Sequence, residues 1–156
     1  MDNRSLVKEI ITLTVTHRYR VGKSASSLGL YFGQSAIIEY IIQNNKCTQN
    51  ELAKHLHISP ASVATTLKRM EKSGFIERVE NENDSRKKNL VVTEEGERVF
   101  KEHRKMCDET DKQLFDGFSG EEKEVLMSYL KRLNNNIADS ELSRDKFKKI
   151  MKEGEK

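Results

Sequence analysis

Pro60 is the only proline in the chain, and it stands where a helix can only begin. Proline has no N–H to donate and a φ already close to the helical value. It therefore suits the first helical position and breaks a helix almost anywhere else. Ser59 before it supplies an N-cap oxygen. Gly74 supplies a left-handed residue to close the helix after Ser73. Between these marks Val63, Leu67 and Met70 recur at spacings of four and three, so they share one side. Residues 59–73 read as an amphipathic helix with a defined start and a defined stop.

The flanks are as well punctuated. Thr48 and Glu51 form a T-x-x-E capping box at the start of TQNELAKHL, a helix of about two turns. His57 and Ile58 follow as a turn. After Gly74 the period changes. GFIERVE and NLVVT are β-branched or aromatic runs on either side of the polar stretch 81–88, which predicts a hairpin with a long tip. Two short helices joined by a tight turn and followed by a β hairpin have the order of a winged helix-turn-helix.

Outside this block the chain reads as helix. Over 4–20, Leu6, Ile10 and Leu13 share a face, with Val7, Ile11 and Val15 beside it. The stretch from Gly22 to Gly33 is rich in Gly and Ser and is expected to be a loop. QSAIIEYIIQN at 34–44 is a buried apolar helix. Thr93 caps a long helix that carries Glu94 and Glu95 in its first turn. Val99, His103, Met106, Thr110 and Leu114 recur along it. Ser119 and Glu122 form a second capping box before a last amphipathic helix marked by Leu126, Leu130, Leu133 and Ile137. The tail 143–156 is lysine-rich. The expected fold is mainly α with a small β wing. Charged residues are 34% and apolar residues 35% of the chain, a balance that suits long solvated helices better than a thick sheet core.

Several classes are excluded or disfavoured. No run of about 18 apolar residues exists, so no bilayer span and no membrane partner is expected. MDNRSLVKEI lacks a continuous apolar segment, so no signal peptide is expected. Cys47 and Cys107 make neither a disulfide framework nor a C-x-x-C pair, which points to a reducing cytoplasm. There is no P-loop, Rossmann, Ser/His/Asp or metal-ligand motif, so neither an enzyme nor a cofactor is expected. A net charge of +3 is compatible with nucleic acid without demonstrating it.

The candidate chemistry lies on the second helix of the pair and on the wing. Opposite Val63, Leu67 and Met70 stand Ala61, Ser62, Thr65, Lys68, Arg69 and Lys72, and Ser59 and Thr66 are further candidates for DNA contact. Small side chains at the N-terminal end let a helix approach base edges, and cations at the other end hold phosphates or read guanine. In the wing tip NENDSRKKN, acids and bases nearly cancel, so bulk charge explains little. The specific feature is Arg86 near the apex, followed by Lys87 and Lys88. One arginine there can enter a narrow minor groove, and Asp84, two residues before it, can orient it.

The run TQNELAKHLHISPASVATTLKRMEKSGFIERVENENDSRKKNLVVTEEG resembles the core of the MarR family. ELA, the SP-x-SV helix start, LKRMEKSGFIER, the D-x-R of Asp84 and Arg86, and the T-x-x-G of Thr93 and Gly96 carry the likeness together. FSGEEKEVLMSYLKRL resembles the family's last helix, so the likeness spans roughly residues 30–137. It implies a single domain over 1–156: a winged-helix lobe at 30–96, dimerisation helices at 4–20 and 97–140, and a basic tail at 143–156. It also implies a homodimer that binds a pseudo-palindromic double-stranded DNA operator, acts mostly as a repressor, and is released by a small effector. An effector pocket is implied where the first two helices meet the long helix after the wing. His17, Arg20, Tyr31, Phe32 and Phe100 are the candidates, a mix suited to a small aromatic anion. The same residues could equally pack the dimer.

Alternatives stand beside this reading. The winged helix could serve protein–protein contact without reading DNA. The regulator could respond to thiol oxidation or metal. The family's oxidant-sensing branch carries its reactive Cys in the first helix, and residues 4–20 contain none, which favours packing roles for Cys47 and Cys107. His17, His55, His57 and His103 have no metal-site spacing. The terminal apolar stripes suit either an ordinary core or a dimer seam.

Overall fold

The computed structural model describes residues 2–31, 33–81 and 86–137. Its elements are α1 (Asn3–Ser27), α2 (Gln34–Gln43), β1 (Cys47–Thr48), α3 (Gln49–Leu56), α4 (Pro60–Lys72), β2 (Ile76–Glu80), β3 (Lys88–Val92), α5 (Glu94–Leu114) and α6 (Gly120–Ile137). The architecture is mainly helical with one small antiparallel sheet, as expected. The tip residues 82–85, which include Asp84, the candidate pocket residue Phe32 and the tail 143–156 lie outside the described residues. Two compact units divide the chain between Lys112 and Gln113.

In the first unit the local punctuation works as read. Thr48 Oγ1 accepts from the Glu51 N–H while Glu51 accepts from the Thr48 N–H, completing the capping box. Ser59 Oγ accepts from the Ser62 N–H at 3.1 Å, and Pro60 follows at the first helical position. At the far end Gly74 adopts φ +74°, and the Phe75 N–H returns to the Met70 carbonyl at 3.0 Å. Only glycine takes that φ without strain.

Two features differ from expectation. Residues 22–27 are not loop but the last turns of α1, which ends at Ser27, with Leu28 as its C-cap, rather than near Arg20. Glycine and serine weaken a helix locally, but burial of Ser24 and Ala25 outweighs propensity here. Ser24 and Ser27 return their hydroxyls to the Val21 and Ser24 carbonyls. Gly29, at φ +74°, is the actual stop, and the Leu30 N–H closes onto the Ala25 carbonyl. The second difference is β1, a two-residue strand too short to leave a sequence pattern. It pairs Cys47 with Leu90 and Thr48 with Asn89, so the sheet order is β1–β3–β2. β2 and β3 pair from Ile76↔Val92 to Glu80↔Lys88.

The core gathers Leu30, Ile37, Ile38, Ile41, Leu52, Val63, Leu67, Met70, Phe75, Ile76, Leu90 and Val99. Val63, Leu67 and Met70 are fully buried. Each such side chain contributes about 1.5–3 kcal/mol by leaving water. α5 docks where β3 ends. Thr93 Oγ1 donates to the Gly74 carbonyl and accepts the Gly96 N–H at 3.0 Å. Gly96 lies directly on the backbone of Phe75.

His103 joins three helices. It is buried, its Nδ1 lies 3.1 Å from Ser35 Oγ of α2 and its Nε2 3.6 Å from Cys107 Sγ. The backbone of Val21 in α1 also lies beside it. By contrast, the apolar stripe of α1 is uncovered. Leu6, Val7, Ile10, Ile11, Leu13 and Val15 are each about half exposed.

In the second unit, Ser119 and Glu122 complete their capping box at 2.8 and 3.2 Å. Phe115 and Phe118 meet edge to face. α6 has no buried residue, and Leu130, Leu133 and Ile137 are exposed.

A Cβ on Gly96 would collide with the Phe75 carbonyl oxygen and stand 2.8 Å from Val92 Cγ1. Gly96→Ala is expected to lower stability by about 1–3 kcal/mol through overpacking. Gly120→Ala, where a Cβ meets nothing within 4 Å, should be neutral or mildly stabilising. Equal urea midpoints for the two variants would contradict this account of the α5 junction.

Candidate nucleic-acid interface

Burying one side of α4 determines what the other side shows. Ala61, Ser62, Thr65, Lys68, Arg69 and Lys72 are exposed, and Thr66 is half-buried. Ser59 and Ser62 bond to each other through their hydroxyls at 2.9 Å. Thr65 and Thr66 donate their hydroxyl hydrogens back to the Ala61 and Ser62 carbonyls, each at 3.2 Å. Outward, Thr65 therefore offers lone pairs and a methyl group. Such a side chain can accept from a base amino group or pack on a thymine methyl. Lys68, Arg69 and Lys72 make no ion pair with any described residue, so their charge is available to a polyanion.

The wing presents Arg86, Lys87 and Lys88 exposed. Lys88 Nζ pairs across the strands with Glu80 Oε1 at 3.1 Å. At the base of the tip, Asn81 Nδ2 donates to Asn89 Oδ1, and the Asn81 N–H donates to the Lys87 carbonyl. The expected orientation of Arg86 by Asp84 lies outside the described residues.

The contact between these two parts leaves no mark in the sequence. Arg78 of β2 donates through Nε to Glu71 Oε1 of α4 at 2.8 Å and through Nη2 to Gln49 Oε1 of α3 at 3.1 Å. Gln49 Nε2 then donates to the Pro60 carbonyl at 3.4 Å. A second feature without a sequence signal is an open cleft of about 600 Å³ at the α3–α4 turn, with Ala53, Ile58 and Pro60 as walls and Asn50, Lys54 and His57 at its rim. His57 there adopts φ +52°, which carries the chain from α3 into α4. On the far side of α3, His55 stacks on Tyr40 with ring centroids 4.1 Å apart.

The candidate effector residues are dispersed in role. His17 Nε2 lies 2.8 Å from Asp111 Oδ1, joining α1 to α5. Arg20 is exposed and also engaged. Tyr31 is largely exposed, with its N–H donating to Gln34 Oε1. Phe100 packs half-buried against the core. Among the described residues, no group of three His, Cys, Asp or Glu could hold a metal ion. Nor is any described helix long and apolar enough to cross a membrane.

A helix-turn-helix with a polar, cationic second helix and an antiparallel wing defines a winged-helix DNA-binding regulator of transcription. Residues 33–88 match the MarR family. The chain is 31% identical over 111 residues to the HTH-type transcriptional regulator BilQ of Clostridium symbiosum, covering 71% of this chain and 74% of that protein. The structure of a MarR family transcriptional regulator from Clostridium acetobutylicum superposes with a TM-score of 0.74 at 26% identity, covering 86% of this chain and 100% of that one. A variant of S. aureus MepR bound to an oligodeoxyribonucleotide shares the fold with a TM-score of 0.67 at 21% identity, covering 88% of this chain and 100% of that one. The chain belongs to the MarR family.

Cys47 is buried within this lobe, and burial, with the Glu51 carboxylate second, pushes its thiol up to about 11. The unfolded thiol ionises at roughly 8.5, so the unfolded chain loses its proton first. Stability should therefore fall as pH rises from there toward the folded value. Cys107, half-buried and raised mainly by burial, is the more accessible thiol. At mildly alkaline pH a thiol reagent should label Cys107 in the native protein and reach Cys47 only on unfolding. Equal native labelling of both would overturn the assignment of Cys47 to the core.

Proposed function

We propose that this regulator is a cytoplasmic homodimer that represses transcription by occupying a pseudo-palindromic operator, and that a small aromatic or anionic molecule releases it. The observation that carries the reading is the outer face of α4, where short hydroxyl and methyl groups give way to three cations without described ion-pair partners. Ser59, Ala61, Ser62, Thr65 and Thr66 are assigned to the major-groove end, and Lys68 and Arg69 to phosphate or guanine. Arg86 is assigned to the flanking minor groove, with Lys87 and Lys88 on the backbone beside it and Asp84 as its orienting carboxylate. The winged-helix lobe is taken as 30–96.

The uncovered apolar stripes of α1 and α6 support a dimer seam formed with a second copy by 4–20 and 97–140. In a two-fold dimer the two α4 helices would lie about one DNA turn apart. The effector site is assigned to His17, Arg20, Tyr31, Phe32 and Phe100. A carboxylate ligand there would compete with Asp111 for His17. The buried, poorly ionised Cys47 argues against thiol control from that residue.

The first test is a footprint on the DNA upstream of the protein's own coding region. Protection of an inverted repeat is expected; no protection there or on a random-sequence library would sink the operator reading. Arg86→Ala should weaken operator binding substantially while leaving the thermal midpoint nearly unchanged. Thr65→Ala and Arg69→Ala should each cost about 1–3 kcal/mol of binding if they meet bases. Sedimentation at micromolar concentration should give a dimer, and a monomer would exclude the two-fold arrangement. Titrating aromatic acids should release DNA from a Cys47→Ser, Cys107→Ser double variant as well as from the natural chain.

A further inference from the structure

We propose that Arg78 is a positioning residue for DNA recognition, whose guanidinium straps the wing to both ends of the α4 recognition helix so that the two reach DNA in one register. The proposal rests on the reading of α4 and the wing as the DNA-contacting elements. Arg78 sits in the middle of β2, paired with Leu90 of β3. One arm of its fork takes Glu71 in the last turn of α4, at 2.8 Å. The other takes Gln49, the first residue of α3, at 3.1 Å. Gln49 uses its remaining amide group on the carbonyl of Pro60, the first residue of α4. A chain of three hydrogen bonds thus runs from the end of the recognition helix, through the wing, to the start of the same helix.

The chemistry requires arginine. A planar fork can address two acceptors on different elements at once, whereas a lysine ammonium on its single stem cannot hold that geometry. Gln49 must also face one way. Its Oε1 accepts from Arg78 and its Nε2 donates to Pro60, so both ends of the amide are used. Arg78 and Glu71 are each about one-third exposed. Partly solvated pairs contribute little to global stability. The strap should therefore show itself in the relative placement of two elements more than in resistance to heat.

The experiment is a double-mutant cycle on operator affinity in the full-length protein, pairing Arg78→Gln or Gln49→Ala with Arg86→Ala. Each single variant of the strap should keep its thermal midpoint close to that of the natural chain and bind operator about tenfold more weakly. In either background Arg86→Ala should cost at least fivefold less than it does in the natural chain, because a wing already out of register has less to lose. Gln49→Ala removes no charge, so its effect cannot be electrostatic. Arg78→Lys should fall well short of the natural affinity, and the salt dependence of binding should keep its slope in Gln49→Ala. Full activity of Arg78→Lys, or a slope reduced by about one ion in Arg78→Gln alone, would mean a direct phosphate contact and overturn the proposal. If Arg86→Ala weakens binding equally in all backgrounds, the wing reading stands and the strap is refuted. If Arg86→Ala is silent in the natural chain, the wing reading itself fails and takes the strap with it.

Discussion

The rotation of α4 about its own axis is the constraint on which the recognition surface depends, and three side chains set it. Val63, Leu67 and Met70 are fully buried, and turning the helix enough to change what faces outward would bring at least one of them back into water. Removing any one of these side chains would cost about 2–5 kcal/mol in transfer and cavity terms. A densely packed interior resists even small deformations. The outer row of Ala61, Ser62, Thr65, Lys68, Arg69 and Lys72 is therefore held in place by residues that can never touch a ligand. The cap at Ser59 and the left-handed Gly74 fix the axial extent of that row, and the junction of Thr93 and Gly96 with the Gly74–Phe75 backbone holds its far end.

What could be read from the sequence was whatever depends on residues within about four positions of each other. Capping boxes, the Ser-Pro start, the glycine stop and the hairpin periods are short-range hydrogen-bond and steric devices, and each leaves a mark in the local string. The features that escaped are made by distant partners. Residues 22–27 carry a loop-like composition, yet they continue α1 because Ser24 and Ala25 are buried. β1 is two residues long and exists only because Leu90 and Asn89 are there to pair with it. In the sequence Arg78 is one charged residue in a short β-branched run. Nothing near it in sequence points to Glu71 or Gln49. The family likeness pointed to α4 and the wing as the candidate DNA-facing elements, but the contact between them could be seen only in three dimensions.

The polar contacts of α5 divide between a buried set and an exposed one, and they respond differently to conditions. His17 and Asp111 meet at the surface, where water and salt screen the pair. His103 is buried among Val21, Ser35 and Cys107, and burial lowers its pKa, with the Val21 backbone opposing and the charge of Arg104 adding to the shift. A histidine held neutral in the fold adds stability that is present above its unfolded pKa of about 6.5 and is lost as pH falls below it, because the unfolded chain binds the proton first. The link that ties α1 and α2 to the long helix is thus weakened by acid.

A lobe packed in this way also limits how DNA release can work. A ligand cannot readily reshape the α4 face, because that face is fixed by a core without slack. In the proposed dimer the lower-cost coordinate would be the placement of one whole lobe against the other, carried by the α1 and α6 helices whose apolar stripes are exposed. An effector acts along that coordinate only through the difference between its affinities for the competent and incompetent spacings. Moving the population from almost wholly competent to almost wholly incompetent needs about a 10⁴-fold difference, or about 5.5 kcal/mol. A single polar contact of the His17–Asp111 kind, exposed to water, supplies far less than this. An effector of the kind proposed would therefore have to bury apolar area as well as satisfy a charge. In the proposed dimer it would also have to do so at both sites, or shift an equilibrium that already lies close to balance.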